Sequence, residues 1–370
     1  MQAISERIGW IDECKGFILL LVCLFHLEQS FVHIQLGMLH GAALRMSAFF
    51  FLSGMLFSNR RFSTWKSYAQ HKTKVLLVPY ILLSLFFLAL DPVLYQFDAF
   101  FPLSPKMNIL GIYPDIQNAF QYLGWNLVKI FIAGKSSIGS GPLWFVFNLY
   151  AISLLFFAIH QFTSGRKIFL FLFALLCLGF GFFLNRFHLH FPFGFERICT
   201  TFFFFALGNL CKNFLLRFEK QKLFVLLLAF FFAAIFYAIF EKPDPNFSIM
   251  NNDLGKNFGV FILSSLSGIF ALLALFLILN RMPSWKIILV FKGILRNISR
   301  NGMIILATHW WILLVLRIVF KSELDKPFWA WISLPIVFLG VIFFIPLFRS
   351  KLNRLIAKEK ISWRESLSIR

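Results

Sequence analysis

The sequence predicts an all-α protein, a polytopic integral membrane helical bundle of about ten transmembrane helices with no soluble domain. Two observations carry this. Hydrophobic residues make up 59% of the 370-residue chain against 14% charged, and the apolar residues gather in blocks of about twenty, the length a helix needs to cross a bilayer. A third agrees with them: no long polar stretch or internal repeat interrupts the blocks, so residues 1–370 read as one unit.

In order, the expected spans are 14–34, 38–57, 74–94, 142–161, 167–185, 199–216, 222–240, 258–280, 302–320 and 328–348. The longest connection, 95–141, contains Pro102, Pro105 and Pro114 and then NAFQYLGWNLVKIFIAG. Its 117–133 part is expected to be a helix at the interface or dipping into the bundle, with Trp125 suited to the headgroup level. The polar segment 241–256, with Pro243 and Pro245, is expected to lie over the outer mouth.

An even number of spans places both termini on one side. Most of the 36 Lys and Arg residues fall in the connections on that side, so the positive-inside rule makes both termini cytoplasmic. The net charge of +20 is therefore spread over short loops at a membrane face, which fits contact with anionic membrane lipids and argues against nucleic-acid binding. The five cysteines lie in or beside apolar runs without the spacing of a metal site or disulfide framework. No small-residue cleavage site follows the first apolar run, so the first span is expected to be retained.

That first span carries the most chemistry. In RIGWIDECKGFILLLVCLFHLEQSFVH, Lys15 and His26 are eleven residues apart, which on one helix puts them within about 20° of the same face and roughly 16 Å apart along the axis. Asp12 and His33 extend the stripe in both directions. Polar side chains at this depth are costly unless they face a bundle interior or wet cavity, so His26 is a functional candidate, with helix packing as the plainer explanation. In the second span Arg45 needs a partner such as Glu28, as a structural ion pair or as a substrate contact. His309, about 10 Å into the ninth span, shares its depth with His26, and Arg317 follows eight residues later. Two histidines raise a metal, but no third ligand of matching depth is visible, and none is expected.

Several runs resemble the membrane acyltransferase 3 family, in particular its sugar O-acetyltransferase branch, which includes fucose 4-O-acetylase-like proteins. They are WIDECKGFILLLVCLFH, FFFLSGMLF, the basic residues before VLLVPY with Pro79 and Tyr80, the Leu143, Trp144, Phe145 signature in GPLWFVFNLY, an arginine (Arg197) ahead of TTFFFFALGNL, and His309 in IILATH. Two positions depart from the family's pattern. Lys15 stands where many members carry arginine, which keeps the charge and loses the bidentate fork. Ser47 and Ala48 follow Met46 where the family has Pro and Leu.

The resemblance implies acetyl-CoA entering from the cytoplasm and a sugar hydroxyl arriving on the outer side. On that basis the expected roles are His26 as general base, Asp12 and Lys15 at the inner end of the stripe, and Arg45 and His309 at the oxyanion or acceptor. Lys15, Arg60, Arg61, Lys72 and Lys74 (with Lys66) would hold the CoA phosphates, although positive-inside topology alone explains such a cluster. Glu28, Trp144, Arg197 and Arg317 are the substrate-side candidates. Direct transfer and a covalent acyl-histidine are both open. The rivals are a transporter or flippase of a lipid-linked sugar, an acyltransferase of a lipid or small molecule, and a membrane sensor without activity.

Overall fold

Thirteen α-helices account for nearly all of the computed structural model, which describes residues 8–31, 42–59, 62, 64–97, 109–241, 247–283, 285–320 and 326–355. They are α1 (Gly9–Ser30), α2 (Ala42–Met55), α3 (Trp65–Lys72), α4 (Val78–Gln96), α5 (Ala119–Phe131), α6 (Trp144–Phe162), α7 (Lys167–Arg186), α8 (Phe195–Phe218), α9 (Leu223–Glu241), α10 (Phe258–Arg281), α11 (Lys286–Arg300), α12 (Gly302–Val319) and α13 (Pro327–Leu355). Among the described residues there are no strands, only two isolated β-bridges. The protein is an all-α polytopic membrane protein.

Among the described residues, eight helical runs are long and apolar enough to cross a membrane. α1 has the length but carries Asp12, Glu13, Lys15 and Glu28, and α2 is a shorter apolar helix of 14 residues. The expected spans 14–34 and 38–57 lie partly outside the described residues, at 32–34 and 38–41. The third begins earlier than expected, because α3 runs into α4 through a π-helical segment, Thr73–Leu77. Pro79 explains the widening: it has no N–H to give and its ring crowds the preceding turn, so the chain takes one extra residue there and Val78 donates to Thr73 instead.

The bundle is assembled by close pairs. α10 packs along α9, α8 lies between α7 and α2, and α1 is held by α11, α12, α10 and α2. Small residues allow the closest approaches. A Cβ on Gly54 would run into the Phe205 carbonyl and one on Gly208 into the Phe51 carbonyl, so α2 and α8 meet backbone to backbone at two reciprocal glycines. Gly16 does the same for α1 against Leu295 of α11.

The connection before α6 is ordered by side chains reaching in from other elements. Tyr80 donates to the carbonyls of Ile130 and Lys135, both at 3.0 Å. Arg197 donates to Ala133 (3.0 Å), Gly134 (3.1 Å) and Met250 (3.2 Å). Asn252, in the left-handed conformation that asparagine tolerates, accepts from Thr200 at 2.7 Å and donates to the Gly181 carbonyl at 2.8 Å. Each of these carbonyls thus finds a donor, as buried irregular backbone requires.

Candidate active site

α1 forms because an apolar run without proline offers uninterrupted backbone hydrogen bonding, and it ends just past His26. Ser30 donates its hydroxyl to the His26 carbonyl at 2.7 Å, satisfying one of the acceptors a helix terminus leaves over. α12 brings His309 to the same place. The His26 and His309 rings lie 5.4 Å apart, and Trp310 meets His26 edge-on at 4.8 Å. The expectation of a common depth on separate helices thus becomes a lateral contact.

Hydrogen bonding decides which ring nitrogens are left. His309 Nδ1 is 2.6 Å from the Ile305 carbonyl, and a carbonyl only accepts, so Nδ1 carries the hydrogen. His309 Nε2 is buried and has no hydrogen-bond partner among the described residues. His26 Nδ1 lies 3.3 Å from Gln29 Oε1, an arrangement that also leaves Nε2 as the unengaged nitrogen. His309 is fully enclosed and His26 only partly.

Arg45 reaches this centre from α2. Its guanidinium sits 4.4 Å from the Phe25 ring centroid, a cation-π contact beside His26. The side chain is buried, in the field of Tyr237 and Glu241 from α9 and of Glu28 from α1. His26, His309, Arg45 and Glu28 are therefore gathered from three helices.

Toward the start of α1, Lys15 and Lys72 lie close enough to act on each other electrostatically. Lys15 Nζ is 5.1 Å from the Phe49 ring centroid and Lys72 Nζ 5.3 Å from that of Tyr68. Lys66 and Lys74 are exposed, Asp12 is buried, and Arg60, Arg61 and His33 lie outside the described residues. Trp144 is nearly buried 5.9 Å from the Arg197 guanidinium, which is spent on the carbonyls named above. Arg317 is buried in the last turn of α12. Trp144 connects through Phe145 and Phe49 to Lys15, and Gly141, one turn before it, lies against the Trp310 that meets His26.

Three groups stand out that the sequence did not suggest. Trp310 covers His26, and Tyr237 with Glu241 faces Arg45. The third is Asp91, fully buried in α4, which accepts from the Tyr122 hydroxyl at 3.0 Å and the Gly139 N–H at 3.4 Å and holds the start of the 138–143 turn. An acid inside the apolar run LFFLALDPVLY was signal enough, since an intramembrane carboxylate is a functional candidate on the same ground as a histidine. Trp310 and the α9 pair had no such signal, because lateral neighbours across a bundle are not encoded in depth. Among the described residues no three His, Cys, Asp or Glu side chains cluster as metal ligands.

A bundle of apolar helices with a histidine pair and an arginine buried at its centre defines an integral membrane protein with a polar intramembrane site. The family model described as an acyltransferase domain, that of the acyltransferase 3 family, matches residues 8–348, and the chain belongs to this family of membrane acyltransferases. No curated protein and no solved structure matches it.

Proposed function

We propose that this acyltransferase moves an acetyl group from cytoplasmic acetyl-CoA to a hydroxyl of a lipid-linked or cell-surface sugar, with His26 as general base. The observation that carries the proposal is the paired histidine centre, where His26 keeps Nε2 free within reach of a buried guanidinium. His26 Nε2 takes the hydroxyl proton as the oxygen attacks the thioester carbonyl. Arg45 stands beside the developing oxyanion, the C–S bond breaks, and the thiolate leaves with the proton from His26.

Lys15 and Lys72 form the donor end. Two cations from different helices, one on the same face as His26 and roughly 16 Å from it, suit the phosphates of a carrier whose reactive thioester sits at the end of a flexible arm. Both termini then lie in the cytoplasm, in agreement with the charge bias of the loops. An apolar recess between α4, α12 and α13, lined by Phe87, Leu90, Thr308 and Trp311, could take the chain of an acceptor carried on a lipid.

The test is transfer of label from acetyl-CoA to glycan or glycolipid in membranes carrying the wild-type protein or His26→Ala at matched expression. A loss of about 10²-fold or more in the variant supports the base assignment. Undiminished transfer by His26→Ala overturns it, and no transfer by the wild type, with accumulation of a lipid-linked sugar across the bilayer, favours transport instead.

A further inference from the structure

Helix α11 lies in what the sequence presents as a basic loop, and the chain's path fixes the membrane face it belongs to. α10 ends a span at Arg281 and α12 begins the next at Gly302, so α11 starts and finishes at one membrane face. This helix of 15 residues, about 22 Å long, packs against α1 at that face, with Leu295 on Gly16 and Arg296 beside Gly9.

Its sides divide into three sectors at 100° per residue. Leu295 is fully buried, with Ile288, Lys292 and Ser299 partly covered on one side of it and Ile298 on the other. The next sector is apolar and exposed, comprising Ile287, Val290, Phe291 and Ile294, with Trp285 just ahead. The third is exposed and mostly polar, with Lys286, Gly293, Arg296, Asn297 and Arg300, and with Leu289 as its one large apolar residue. Residues 285–300 contain four cations and no acidic residue. One face against protein, one apolar, one cationic is the cross-section of a helix resting in a membrane interface.

We propose that α11 is an interfacial anchor whose apolar face enters the headgroup boundary and whose cations engage anionic lipid headgroups, and that it holds α1 at its depth. The link to α1 is direct. Arg296 donates to Glu13 at 2.8 Å, Glu13 is fully buried, and Leu295 fills the space left open at Gly16. Headgroup charge at this face thereby bears on the helix that carries Lys15 and His26. Each Lys or Arg near an anionic surface contributes about 1 kcal/mol, roughly a fivefold change in local binding. Lys286 and Arg300, exposed at opposite ends of α11, are the residues placed to do so.

The experiment places a spin label at Ile294→Cys or Gly293→Cys in a Cys211→Ser background, the other four cysteines being buried. These neighbours point 100° apart, and a side chain at Gly293 meets open space, so neither label disturbs packing. The protein is reconstituted in phosphatidylcholine vesicles with and without phosphatidylglycerol, and collision with oxygen and with a water-soluble nickel chelate gives label depth. The expected result is a label at 294 about 5–10 Å below the headgroups, a label at 293 in water, and a deeper 294 label when phosphatidylglycerol is present. Combining Lys286→Gln with Arg300→Gln should abolish that deepening while thermal unfolding stays unchanged. Equal aqueous exposure at 293 and 294 overturns the anchor, and a depth indifferent to phosphatidylglycerol overturns the role of anionic lipid.

Discussion

His26 and His309 each spend one ring nitrogen on a neighbour and keep the other unengaged, and they differ in access. His26→Gln should therefore cost about 10²-fold or more in acetyl transfer, while His309→Gln, whose amide can still donate to Ile305, should cost less. Initial rates on equal amounts of folded protein check the order. For the cations, Lys15→Ala and Lys72→Ala should each raise the KM for acetyl-CoA roughly tenfold, more at low salt than at high, while Lys15→Arg stays near wild type. A KM unchanged by either alanine variant would remove both residues from the donor site. Lys135, in the connection after α5, gives a test independent of catalysis. Burial, reinforced by the Arg197 charge, pushes its pKa down to about 7 from the ordinary 10.5. The folded chain thus releases this proton at about pH 7 and the unfolded chain at about 10.5, so between these values the unfolded state binds more protons and stability rises with pH. Limited proteolysis around residues 132–137 should slow as pH rises through that window, and Lys135→Met should flatten the response.

Among elements, the α2–α8 pair is the most exacting contact. Gly54→Ala or Gly208→Ala sets a methyl against a backbone carbonyl that has no room to move, so each should lower stability by about 1–3 kcal/mol, visible as a reduced melting temperature in detergent. By contrast, Gly124→Ala and Gly179→Ala meet open space and should leave it unchanged. The helices themselves were legible in the sequence because an apolar run of bilayer length has few alternatives. The π segment was not, since Pro79 signals a disturbance without saying that the helix absorbs it by widening rather than by ending. α5 occupies most of the segment that reads as an interfacial helix, because its alternation of apolar and polar residues follows the helical period. α11 was hidden by the charges at 286, 292, 296 and 300, which make a loop and an amphipathic surface helix look alike until periodicity is weighed.

For the whole molecule, depth was readable and azimuth was not. Counting residues along a span placed His26 and His309 in one layer, but nothing in the count says that α1 and α12 are neighbours or that Trp310 turns toward His26. The same blindness applies to Arg197, whose position at a span end suggested substrate contact and whose guanidinium lies against Ala133, Gly134 and Met250. That arrangement has a consequence for how the protein is made. The donors for the 130–135 backbone come from Tyr80, on a helix already inserted, and from Arg197, synthesised more than sixty residues after the carbonyls it satisfies. During translation these carbonyls therefore wait, half supported, until α8 leaves the ribosome, and a nascent chain arrested after α7 should be cut near residues 130–135 more readily than the finished protein.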